Sequence, residues 1–201
     1  FGYSLWAWCD FIPWEATAIG LGTVASFVVT GGFTQAIARR SLFYIHQDEY
    51  ILTKKVCYRF FFFGLAAVAA VGLFLYLINL IFEIVSPSIA FYAQLYYLLL
   101  STLWLSLSIL YMLRQQLMFT VITVVGIIVV HLVVLFTRWR MITAHSLGLA
   151  TAILLSFIAG WAILYRKAKQ AKGEQTVSEL RRASMLVYAV APYFWYGVFF
   201  F

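Results

Sequence analysis

Charge is what this sequence has least of. Asp, Glu, Lys and Arg make up 10% of its residues, seven acidic against 14 basic, for a formal charge of +7. With 65% of residues hydrophobic, such a composition excludes a soluble globular domain. Cysteine is almost absent as well. Cys9 and Cys57 fall at opposite ends of a predicted membrane crossing, far beyond the roughly 7 Å between α-carbons that a disulfide tolerates. Neither has a Cys-x-x-Cys or Cys/His spacing, so they read as small buried or interfacial fillers. The sequence has no His-Glu-x-x-His, no carboxylates in register and no nucleophile beside a base. It therefore offers no metal centre, cofactor site or catalytic group, and a protein without chemistry of its own is expected. A basic n-region with a small-residue cleavage site is missing from the first ten residues. The chain opens on Phe1 and closes on Phe199 to Phe201 within an apolar run, so a fragment is expected.

What is present is a series of uncharged spans. The first, Ala16 to Ala38, covers a hydrocarbon core of roughly 30 Å at a helical rise of about 1.5 Å per residue. It ends at Arg39 and Arg40, and the pair Gly31 and Gly32 is expected to loosen its last turns. Further spans run from Phe60 to Phe82, Ile84 to Leu113, Gln115 to Thr137, Met141 to Tyr165, and Ala183 to Phe201. Glu83 with Ser86-Pro87-Ser88 divides the second from the third. Arg114 divides the third from the fourth, because a cation at mid-membrane costs at least about 2.5 kcal/mol. An all-α, polytopic membrane helical bundle follows.

Alternate loops hold twelve basic residues on one side of the membrane and two on the other, which puts the twelve in the cytoplasm. Residues Phe1 to Trp14 then lie outside. The loop from Ser41 to Tyr58 mixes apolar and charged residues and is expected to form a short interfacial helix. The basic stretch Arg166 to Arg182 also carries Glu174 and Glu179 and joins two spans, so it reads as a solvated connector and not a nucleic-acid patch.

Three patterns point to particular faces. Ala18, Gly22, Ser26 and Thr30 recur every four residues, as do Gly148, Ala152, Ser156 and Gly160. Each makes a small-residue helix face that admits a neighbouring backbone, for tight packing or for contacts that slide. Val121 to Phe136, almost entirely Val, Ile and Leu with Gly126, is expected to face lipid. In the third span Gln94, Tyr97, Ser101, Trp104, Ser108, Tyr111 and Gln115 fall at steps of three and four, one polar and aromatic stripe suited to a substrate path. Hydroxyls and amides would exchange hydrogen bonds with a polar substrate, and aromatic rings would offer it flat apolar faces. The stripe is equally consistent with aromatic belts and hydroxyls bonded back to their own helix. Asp10, Glu15, Glu83, His131 and His145 map to the outer half, where they either line an outward vestibule or are simply hydrated at the headgroups.

Thr30-Gly31-Gly32 with Gln35 and a following basic residue, after a small-residue helix, resembles the second helix of the PelG-type Pel exopolysaccharide transporters. These belong to the multidrug/oligosaccharidyl-lipid/polysaccharide flippase superfamily. Leu103-Trp104-Leu105 with Arg114, and Arg181-Arg182 leading into Tyr193-Phe194-Trp195-Tyr196-Gly197, extend the resemblance. It implies about twelve helices in two six-helix bundles, of which this chain carries the second to the seventh: residues 1–182 would be the first bundle lacking its first helix, and residues 183–201 the truncated start of the second bundle's first helix. It also implies export of a polysaccharide across the bacterial inner membrane beside a cytoplasmic glycosyltransferase and other membrane subunits. The alternatives are a lipid-linked oligosaccharide flippase of the same superfamily and a non-transporting membrane scaffold.

Overall fold

A computed structural model describes residues 11–137 and 139–171. Cys9, Asp10, Arg138, the end of the basic connector and the span from Ala183 lie outside them. The described chain forms five α-helices: α1 (Pro13–Ile45), α2 (Tyr50–Phe82), α3 (Pro87–Met112), α4 (Gln116–Thr137) and α5 (Met141–Gln170). No strand occurs among the described residues. All five helices are long and apolar enough to cross a membrane.

Local chemistry sets the ends. Pro13 opens α1, where its missing N–H costs nothing, and the Glu15 carboxylate accepts the backbone N–H of Ile12 at 3.4 Å. Pro87 opens α3 in the same way. Three turns are closed by left-handed residues that are not glycine: Asp48, Glu83 and Arg114, with φ of 57°, 49° and 55°. Glu83 donates its backbone N–H to the Asn79 carbonyl at 2.8 Å. The Asn79 side chain in turn holds both the N–H and the C=O of Val85, so the α2–α3 turn is stitched from inside the preceding helix. Glu83 and Arg114 do divide the spans, as their charges require.

Two expectations are corrected. Residues Ser41 to Tyr58 form no separate interfacial helix: α1 continues to Ile45, α2 begins at Tyr50, and only His46 to Glu49 turn. At 33 residues each, α1 and α2 are about 50 Å long, so their paired ends project past the hydrocarbon as a helical hairpin. Nor do Gly31 and Gly32 loosen α1. Both are buried and helical, because a backbone enclosed by apolar neighbours keeps its hydrogen bonds within the helix.

Such short turns make consecutive helices antiparallel, so α1, α3 and α5 run one way and α2 and α4 the other. The α3 helix is the axis: it touches all four others and α1 most extensively, while α4 packs chiefly on α5. The larger apolar core joins α1, α2 and α3 around Phe33, Ile37, Phe60 and Leu105, with Leu164 added from α5. A second core joins α3, α4 and α5 around Leu103, Leu107, Ile142 and Leu149.

Candidate functional site

The α1–α3 contact is built by absence of side chain. A methyl group on Gly22 would stand 2.6 Å from the Ala93 carbonyl oxygen and 2.9 Å from the Tyr97 nitrogen, so the α3 backbone lies directly against α1. Ala18, Ser26 and Thr30 of the same face are buried. Their hydroxyls are spent within α1, Ser26 on the Thr23 carbonyl at 2.8 Å and Thr30 on the Ser26 carbonyl at 2.7 Å. On α5, Gly148, Ala152, Ser156 and Gly160 are all buried. Gly148 meets Gly126 and Val130 of α4, with the Gly126 carbonyl 2.7 Å from where a Gly148 Cβ would stand, and Gly160 faces Ile109 of α3. The expectation that Gly126 faces lipid is thereby corrected. Ile122, Gly126 and Val130, four residues apart, are a narrow buried stripe on an α4 that is otherwise exposed or half-buried.

Hydrogen bonds between side chains cross from α3 to α5 at two levels. Ser106 Oγ meets Ser156 Oγ at 2.7 Å. One level away, the Tyr96 hydroxyl meets His145 Nδ1 at 2.5 Å, with the imidazole stacked at 29° to the phenol and the Phe11 ring 5.8 Å from it. Both pairs are separated by about fifty residues, as two parallel helices in fixed register require. Tyr96 and Ser106 were not singled out from the sequence, since each lies just off the stripe; only their spacing to His145 and Ser156 carries the signal.

The other outer-half residues do not share that pair's setting. Glu15 is buried at the start of α1, Glu83 is exposed in the α2–α3 turn, and His131 is exposed on α4 with Nδ1 2.9 Å from the Ile127 carbonyl. Glu83 borders an open groove of about 310 Å³ with Tyr76, Asn79 and Ser86. Among the described residues no cluster of His, Cys, Asp and Glu could hold a metal.

The stripe on α3 lies against α1 and α2. The Tyr97 hydroxyl donates to the Val68 carbonyl of α2 at 2.9 Å, and Ser108 donates to the Leu105 carbonyl at 2.7 Å. Trp104 packs on Phe27 of α1 with ring centroids 5.0 Å apart. Between these, Ser101 Oγ and Trp104 Nε1 are buried without a hydrogen-bond partner. Gln94 and Gln115 are half-buried near the two ends and Tyr111 is exposed.

These features define a multi-pass helical membrane protein whose central helix carries polar groups through the middle of its bundle. Comparison with known protein families, with characterised proteins and with solved structures finds no match.

Proposed function

We propose that this chain is part of a bacterial inner-membrane transporter that moves a polysaccharide outward through or between two six-helix bundles. The chain would supply most of the first bundle and the start of the second. The observation that carries the reading is the pair of orphaned groups at mid-helix on α3, Ser101 Oγ and Trp104 Nε1. A buried polar group without a partner costs about 1–3 kcal/mol, so its retention in the centre of a membrane bundle favours a second arrangement in which it meets water or sugar. At Gly22 the α3 backbone lies directly against α1, and this contact is the surface on which the two helices would part. In this reading Tyr97, Ser101, Trp104 and Ser108 form the path, Gln94, Tyr111 and Gln115 its ends, and the Thr-Gly-Gly and Leu-Trp-Leu segments tie the cargo to exopolysaccharide. A lipid-linked oligosaccharide would use the same stripe. A cytoplasmic glycosyltransferase would deliver the chain at the basic end.

The test replaces Trp104 with Leu and Ser101 with Val, and measures secreted polymer against membrane-inserted protein. Secretion is expected to fall several-fold at unchanged protein level. Unaltered secretion, with cysteines at Ser101 and Trp104 inaccessible to water-borne thiol reagents during export, would assign the stripe to packing.

A further inference from the structure

At the basic end of the bundle the seam between α2 and α5 is held by cations and rings. Lys54 of α2 places Nζ 4.9 Å from the Tyr165 ring centre and 5.6 Å from that of Trp161, both on α5. Lys167 of α5 reaches back, its Nζ 5.3 Å from the Tyr50 ring of α2. Below them Tyr58 and Trp161 pack at 4.6 Å, and Phe61 and Phe157 at 5.5 Å. Four features of this seam do not belong to ordinary packing. Both lysines are held on ring faces, half-buried. Among the described residues this end has nine basic side chains against only Asp48 and Glu49, both in the α1–α2 turn. Trp161 and Tyr165 remain exposed, 44% and 51%, as does Phe62 beside Tyr58 at 57%. The Tyr58 hydroxyl is buried without a hydrogen-bond partner.

We propose that this seam is a binding site for an anionic phospholipid, with its phosphate on Lys54 and Lys167 and an acyl chain along the exposed Phe62 and Trp161 rings. The chemistry matches at each level. A ring face attracts a cation without neutralising it, so each lysine is positioned yet keeps its full charge for a phosphate. Trp and Tyr at this depth sit where headgroups meet hydrocarbon, with apolar bodies toward the acyl region. Since α2 and α5 touch only sparsely, a lipid wedged at their ends would join the hairpin of α1 and α2 to the far side of the bundle.

The experiment uses the purified protein in nanodiscs of phosphatidylcholine with or without a minor fraction of phosphatidylglycerol, followed by native mass spectrometry and thermal melting. Phosphatidylglycerol is expected to be retained and to raise the melting temperature. In the double variant K54Q/K167Q its affinity should fall at least roughly tenfold, at about 1 kcal/mol for each basic residue near an anionic surface. K54R/K167R should keep it, which separates lost binding from lost folding. K55Q/K169Q, altered at exposed lysines of the same end, should bind nearly as wild type. Equal loss in that control, equal retention of phosphatidylcholine, or absence of retained lipid would each overturn the proposal. The last outcome would leave the seam as a surface for another protein helix.

Discussion

The helices α3 and α4 are both uncharged by Asp, Glu, Lys and Arg and both long enough to span, yet they occupy opposite environments. In its most apolar stretch α3 is 67% buried and α4 17%. The more hydrophobic of the two is the one on the outside. In water the reverse would hold, but lipid is as apolar as Leu, so side-chain apolarity gives no reason to leave it. What brings a helix inward is small residues that let backbones approach and polar groups that find partners there. The α3 helix has both, small residues in Ser101, Ser106 and Ser108 and cross-helix hydrogen bonds from Tyr96, Tyr97 and Ser106, whereas α4 offers Gly126 and little else to its neighbour.

The sharpest way to break that comparison is at the α1–α3 contact. Gly22→Leu should abolish folded yield or cost more than about 3 kcal/mol, because the obstructing atoms belong to the α3 backbone and cannot rotate away. Gly20→Leu, two residues along the same helix with nothing within 4 Å of its Cβ position, should be neutral or slightly stabilising. Melting of the two variants in detergent checks this, and equal tolerance would mean that α1 does not lie against α3 as described.

A smaller effect is expected on α4. Gly126→Leu should destabilise by about 1–3 kcal/mol through its clash with the Gly148 carbonyl and Ala152. Val124→Leu, exposed on the same helix, should stay within about 0.5 kcal/mol. Chemical unfolding in mixed micelles would measure both, and a mild Gly126→Leu would return all of α4 to the lipid.

Smallest is the polar link between α3 and α5. Ser106→Ala and Ser156→Ala should each cost no more than about 1 kcal/mol, with a coupling near 0.6 kcal/mol in a double-mutant cycle, typical of hydrogen bonds inside membrane bundles. Strict additivity would show that the two hydroxyls are satisfied by their own helices, on the Leu103 and Ile153 carbonyls that they already reach.

How far the sequence reached depended on whether a property belongs to one helix or to two. The five described spans, the turns at Glu83 and Arg114 and the two small-residue faces follow from residues within a single stretch: unbroken apolarity, one charge too costly to bury, and a period of four. The choice of partner does not. Gly126 read alone belongs to a lipid-facing run, and only the approach of Gly148 makes it a contact. The extension of α1 and α2 beyond their apolar limits was equally hidden, since charged residues past the hydrocarbon neither require nor forbid a helix and the paired ends support one another. His145 was visible as an ionisable residue in the outer half, but its burial against Tyr96 came from the parallel register of α3 and α5. The stripe on α3 was legible as a face, and what covers it, α1 and α2, was decided by packing. Local chemistry thus determined where this chain enters and leaves the membrane, while the neighbours of each face waited on tertiary structure, because a contact is a property of two surfaces and neither encodes the other.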